Sequence, residues 1–337
     1  MAEGERSIEK STNTAPSRQP FTSADIPILD DGRIYHLHLR PEQLASDILI
    51  VGDPGRATFI ADRFFKEVQV SVEHRGLRSI TGITRMEGHR VSIITSGMGT
   101  PSLEIVLQEL SILKHVDFKT RMFQPLTEPL CIIRVGTSGA LQTSTPLGTA
   151  IISHYAVGMD NTGMFYEGPV SDQICQQLEL ELHEYLKQHT PASSRFYGRI
   201  WPYVTKGDSG LTAHLTTAAT ERNHPFLGGI TVSNSGFFAS QGRDISTMPP
   251  TIRDIDLLLS QFDPKLGSYR VENMEMETSA LFHLGGGQGF KTASICPAIA
   301  NRRLETVARD IETHVAHAAE ISLHSLWTHR KSLALGE

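Results

Sequence analysis

Short apolar runs that end in glycine-bearing turns recur along the chain, and segments with apolar residues at helical spacing follow them. The first run, Asp47 to Val51, ends in Gly52-Asp53-Pro54-Gly55-Arg56. Phe59, Ile60, Phe64 and Phe65 then mark the inner face of a helix. The second, Val91 to Thr95, passes through Ser96-Gly97-Met98-Gly99-Thr100-Pro101 into a helix from Ser102 to about His115. Leu103, Val106, Leu107, Leu110 and Leu113 share one face of it. Leu130 to Val135 runs into Gly136-Thr137-Ser138-Gly139-Ala140, and a strand at Thr149 to Ser153 follows. Ser171 to Gln188 reads as a helix through Ile174, Leu178, Leu182 and Tyr185. The later half repeats the logic, with strands at Gly229 to Ser233, Tyr269 to Met276 and Thr292 to Ala300, and a helix at Thr278 to Leu284. A long helix from about Glu305 to Trp327 closes the chain, with Val307, Ile311, Val315, Ala318 and Ile321 as its core stripe.

This succession predicts an α/β protein. No internal repeat or rich linker divides it, so one domain spans residues 26–332. Residues 1–25 carry Glu3, Glu5 and Glu9 among Ser, Thr, Pro and Lys without an apolar run. They read as a mobile tail, neither a secretory signal nor a mitochondrial presequence. The polar, proline-containing stretch Asp117 to Glu128 reads as an inserted loop, and Ser209 to Phe226 looks enlarged.

Composition sharpens this picture. The 337 residues can bury a substantial core without disulfides or metal. Lys+Arg 31 against Asp+Glu 37 gives a net charge of −6, which argues against a broad nucleic-acid-binding face but leaves room for a local cationic site. Cys131, Cys175 and Cys296 lie far apart with no CxxC pair. They read as reduced thiols of a cytoplasmic protein rather than a disulfide framework or zinc site. No apolar run approaches a membrane span.

Candidate chemistry sits where strands end. Gly52 to Arg56, Ser96 to Thr100 and Arg134 to Gly139 combine glycines with polar or cationic side chains, a pattern suited to a small anion. Any one of them alone is better read as a tight turn. Neither GxxxxGK[ST] nor GxGxxG follows the first strand, which disfavours a nucleotide or dinucleotide fold. In Val271-Glu272-Asn273-Met274-Glu275-Met276-Glu277-Thr278, alternating acids share a face, either as a solvated edge strand or as carboxylates facing a cleft. Phe237-Phe238-Ala239-Ser240-Gln241-Gly242-Arg243 offers aromatics, an amide and a guanidinium for a flat ring. By itself it is better read as a core pair and a polar turn.

Taken together and in order, these segments resemble the nucleoside phosphorylase-I family, most closely its uridine-cleaving branch, from about Arg33 to Leu326. The resemblance implies a three-layer nucleoside phosphorylase-like fold, with a mixed central β-sheet partly closed into a barrel and flanked by helices. It implies phosphate held by Gly52, Arg56, Arg134 and Thr137, with Arg75 of His74-Arg75 reaching in from a neighbouring subunit. Met276 and Glu277 would bind ribose, and His36 would bond the 5′-hydroxyl across a dimer. Phe237 would pack on the nucleoside while Gln241 and Arg243 read the base edge. Arg134, Gln241 and Arg243 would carry the catalysis. Purine-cleaving relatives place an Asp after the late strand, where this chain reads Ile299-Ala300-Asn301-Arg302. A purine enzyme or a non-catalytic nucleoside-binding protein on the same fold are the alternatives. The implied reaction uses inorganic phosphate as co-substrate and no metal or organic cofactor. Gly76 stands where many relatives carry a Glu that helps hold a cation between subunits, leaving Glu73 or Glu104 for any other ion. The implied minimal assembly is a homodimer, because His36 and Arg75 would act across it, and the two additions would stand against the contacts of a hexamer.

Overall fold

In the computed structural model of the chain, residues 19–335 are described, apart from 87, 126–127, 169–171 and 266–268. Every residue of strand Asp47–Val51 is buried, as befits a strand with parallel neighbours on both sides. Those neighbours are Arg90–Thr95 and Cys131–Val135. Leu49 and Val51 face a core shared with helices Pro54–Phe64, Ser209–Glu221 and Ile311–Leu335. Ile48 and Ile50 face a second core under helix Thr100–His115. The alternation of side chains across the pleat thus builds helix, sheet and helix into three layers.

Beyond Cys131–Val135 the sheet curls on itself. Lys291–Asn301 pairs with Cys131–Val135, with Ser138–Ala140 and with Ala150–Met159. Ala150–Met159 continues to Phe226–Asn234, then to Val271–Glu275, and back to Ser138–Ala140. These five strands close a ring, so the mixed sheet is partly a barrel, as the sequence resemblance implies. Leu178, Leu182, Val232 and Met274 pack a third core beside it.

Several elements differ from the sequence expectation. Phe65–His74 and Leu77–Thr84 form an antiparallel hairpin that periodicity reading passed over. Its turn is Arg75-Gly76, with φ of 52° and 76°, the left-handed pair a two-residue hairpin loop demands. The final helix starts at Ile311, not near Glu305. Glu305 has φ of 52°, Thr306–Val307 pairs with the late strand, and the Asp310 carboxylate accepts the Thr313 N–H at 3.1 Å, capping the helix there. Val307 is therefore 67% exposed and lies outside the core stripe. The enlarged segment after Ser209 is a helix, Ser209–Glu221, capped by Asp208, whose carboxylate accepts the Leu211 N–H. The inserted stretch carries a small hairpin, Val116–Asp117 with Met122–Phe123. Phe21 donates its N–H to the Arg121 carbonyl at 2.8 Å and meets the Phe123 ring edge-on, so the last part of the expected tail is held against this insert. Residues 1–18 of that tail lie outside the described residues. Among the described residues, no helix is long and apolar enough to cross a membrane.

Candidate active site

The carboxyl ends of the parallel strands open onto one cavity of about 530 Å³, the usual location of a site in an α/β sheet. Gly52 and Arg56 enter it from the first strand end, and Arg134 and Thr137 from the third. Met276, Glu277, Phe237, Gln241 and Arg243 line it as well. Nine of the residues singled out from sequence thus share one hollow.

Two arginines, Arg56 and Arg134, line one part of this cavity. The Asp53 carboxylate accepts the Arg56 N–H at 2.7 Å, which fixes the first helical turn and brings Arg56 to the cavity wall. Arg56 Nη1 donates to the Val135 carbonyl at 3.4 Å. Burial, and then the neighbouring Arg134, push Arg56 below its ordinary value. Arg134 is 5% exposed. Its Nη2 lies 3.0 Å from the Glu275 carboxylate and also hydrogen-bonds Glu277, and its Nη1 donates to Cys296 Sγ at 2.9 Å. Burial works against its charge, but Glu275, Cys296 and Glu277 outweigh that and hold Arg134 above its ordinary value.

The two carboxylates divide the work. Glu275 accepts from the Ser233 hydroxyl at 2.5 Å and from the backbone of Glu277 and Thr278 at about 3 Å, so it is consumed in turning the strand into the following helix. Glu277 accepts the Gly99 N–H at 2.5 Å and keeps a face on the cavity. Gly99 sits at φ of 87°, and that left-handed bend aims its N–H at the carboxylate. Burial raises the Glu277 carboxyl, with Arg134 opposing. Glu272 is not part of the site; it pairs with Arg270 at 2.6 Å. The strand carrying these acids is an inner strand of the ring, buried along its length, rather than a solvated edge.

Gln241 ends the short turn Ala239–Gln241 and is 7% exposed. Arg243 Nη1 donates to Gln241 Oε1 at 2.8 Å and to the Phe237 carbonyl at 2.5 Å, and its guanidinium sits 3.8 Å from the Phe237 ring centre. The amide oxygen thus already accepts one hydrogen bond, and Gln241 Nε2 is a donor. Burial, then Arg302, push Arg243 below its ordinary value.

His36 and Arg75 do not line this cavity, although Gly76 does. His36 Nδ1 lies 2.7 Å from Glu109, whose carboxylate also accepts the His36 and Leu37 N–H groups. Arg75 Nη1 donates to the Tyr35 hydroxyl at 3.4 Å, and the Tyr35 ring meets His36 edge-on. The pair therefore forms one patch outside the chain's own hollow. Glu73 pairs with Arg78 at 3.1 Å, and Glu104 accepts the Tyr166 hydroxyl. Asn301 is buried and structural: its amide donates to the Gln142 and Thr145 carbonyls and its oxygen accepts the Arg303 and Leu304 N–H groups. Sequence reasoning missed Glu109, Cys296, Asp256 and Arg302, none of which stands in a recognisable motif.

Residues 47–326 match the phosphorylase superfamily, and the chain belongs to that family. Among curated relatives, the uridine phosphorylase of Thermococcus kodakarensis is 26% identical over 318 residues, 94% of this chain and 95% of that protein. The DeoD-type purine nucleoside phosphorylase of Bacillus subtilis is 25% identical over 294 residues, 86% of this chain and 98% of that one. Among solved structures, a Trypanosoma brucei nucleoside phosphorylase described as showing uridine phosphorylase activity superposes with a TM-score of 0.82 at 27% identity. The superposition covers 90% of this chain and all of that one.

Proposed function

We propose that this chain acts as a uridine phosphorylase, converting uridine and phosphate to uracil and ribose 1-phosphate. The observation that carries this reading is the Gln241–Arg243 pair, joined at 2.8 Å, in the same cavity as Arg56 and Arg134. A free amide donor beside a guanidinium suits the carbonyls of a pyrimidine. The last residue of the late strand is the amide Asn301, already committed to backbone groups, so it supplies no acid for a purine ring nitrogen.

In this reading Gly52, Arg56, Arg134 and Thr137 hold phosphate. One of its oxygens attacks C1′ of the ribose as the C1′–N1 bond breaks. The bonding pair leaves on uracil, and its charge spreads onto carbonyls facing Gln241 and Arg243. Cations set in place before the reaction orient the nucleophile and cost no reorganisation. Met276 and Glu277 bind the ribose hydroxyls. Phosphate is the second substrate, and the chemistry asks for no further cofactor. Arg75 and His36 complete the site of a second copy in a homodimer; their common patch outside the chain's own cavity supports this. The three buried cysteines, none in a disulfide, suit a reducing compartment, and we place the enzyme in the cytoplasm.

The test is uridine turnover followed by the uracil absorbance change, with and without phosphate. Phosphate-dependent loss of uridine is expected. Turnover without phosphate, or faster turnover of inosine, overturns the reading. Gln241→Ala should weaken uridine use specifically, and unchanged kinetics would remove Gln241 from the base site.

A further inference from the structure

Behind the loop that carries Gln241 and Arg243 lies a charge cluster built around one buried carboxylate. Asp256, on helix Ile255–Gln261, is 3% exposed. Its Oδ2 lies 2.7 Å from Arg303 Nη2 and 3.5 Å from Arg302 Nη1. The Arg302 guanidinium also donates from Nη1 to the Gln241 carbonyl at 2.6 Å and from Nη2 to the Gly242 carbonyl at 2.8 Å. One planar fork thus grips two consecutive carbonyls of the loop while a carboxylate anchors its charge from behind.

The contact between anchor and loop is tight. Gly242 has φ of 76°, and a β-carbon there would lie 2.0 Å from Asp256 Oδ1 and 3.1 Å from Arg302 Nη1. Asp256 Oδ1 is buried without a hydrogen-bond partner among the described residues. A carboxylate kept from water persists only where cations are fixed around it, so the position of Asp256 and the position of Arg302 determine each other. Neither residue adjoins Gln241 in sequence, and Asp256 does not line the main cavity.

We propose that Asp256 is a positioning residue for base recognition. Through Arg302 it fixes the loop that presents Gln241 and Arg243, and so sets which nucleobase the cavity accepts. This rests on the reading above, in which Gln241 and Arg243 face the base. The closing experiment separates the two ideas. Hydrogen exchange of the full-length protein reads the loop without any substrate. In Asp256→Asn, which keeps the side chain's size, amides of 237–243 should exchange about tenfold faster while the rest of the chain is unchanged. In turnover assays the KM for uridine should rise about tenfold, the KM for phosphate should stay within about twofold, and the preference for uridine over inosine should fall. Arg302→Lys keeps a cation beside Asp256 but cannot bridge two carbonyls, and should speed exchange at the same amides. Unchanged exchange at 237–243 in both variants overturns the proposal, as does an equal rise of both KM values with a lowered Tm. If the wild type leaves uridine untouched, the uridine reading fails, and the exchange result alone decides the role of Asp256.

Discussion

Arg134 folds back over Gly136 so closely that a β-carbon at position 136 would lie 1.6 Å from Arg134 Nη1 and 2.8 Å from Cys296 Sγ. No rotation of a methyl group relieves that overlap. Gly136 is thus required for space, and the space belongs to a guanidinium that lines the cavity.

Gly136→Ala should therefore expel Arg134 from its place. Losing a preorganised charge of this kind costs roughly 10²–10³-fold in turnover. The expected signature is a fall of that order in kcat/KM for phosphate. Stability should fall too, by about 3 kcal/mol, because Glu275 and Glu277 lose their buried cation. Denaturant melts and phosphate titrations check both parts.

Glu277 makes a prediction about pH. Burial raises its carboxyl above the ordinary value of 4.5. Above that value the unfolded chain releases a proton that the folded chain keeps, so folding stability declines as pH rises until the folded carboxyl ionises. Glu277→Gln cannot titrate and should lack this decline. Tm measured at intervals above pH 4.5 should converge towards or favour the variant as pH rises. A constant difference between the two proteins would contradict it.

The proposed homodimer is tested by mixing. Arg75→Ala and Arg134→Ala should each be nearly inactive. In a mixed dimer one site has both substitutions and the other has neither. Random exchange of subunits between equal amounts should restore about a quarter of wild-type activity, as a two-fold shared site requires. No recovery after unfolding and refolding the mixture together would place Arg75 outside the site of its partner.

At the opposite, amino-terminal end of the first strand, Asp47 is 3% exposed and is held by His89 at 2.5 Å and by Arg330 of the last helix. Burial alone would raise the Asp47 carboxyl, but the hydrogen bonds of His89 and Arg330 keep it below its ordinary 3.8. Its stabilisation is present above that value and is lost as pH falls through the folded one. Arg330→Met should cost on the order of 3 kcal/mol and move acid unfolding to higher pH. Turnover at neutral pH should persist, because the pair lies away from the cavity. Circular dichroism across an acid titration reads this directly.

Much of the site was legible in the sequence, for a local reason. Apolar runs such as Asp47 to Val51 and the glycine turns after them are encoded by neighbours a few residues apart. Position in an α/β sheet then follows, because turns at the carboxyl ends of parallel strands converge. Gly52, Arg56, Arg134, Thr137 and Glu277 were named through the resemblance of those turns, taken in order, to the nucleoside phosphorylase-I family, and the fold brings them to one cavity. The hairpin Phe65–His74 with Leu77–Thr84 was missed, although its alternation is present. The start of the final helix was misplaced, because Val307 and Ile311 fit a helical stripe while Glu305 turns left-handed and Asp310 resets the cap.

What only the tertiary structure decided are relationships between residues far apart in the chain. The ring closes where Ala150–Met159 meets Lys291–Asn301. Cys296 meets Arg134, and Asp256 holds Arg302 behind Gln241. Such contacts leave no periodic trace in either segment, since each side of the pair is a single residue in an ordinary setting. The sequence by itself determined which strand ends carry glycine, cation and carboxylate. The folded chain decided how those groups face one another, because burial forces each charge to find its counter-charge wherever the sheet brings one near.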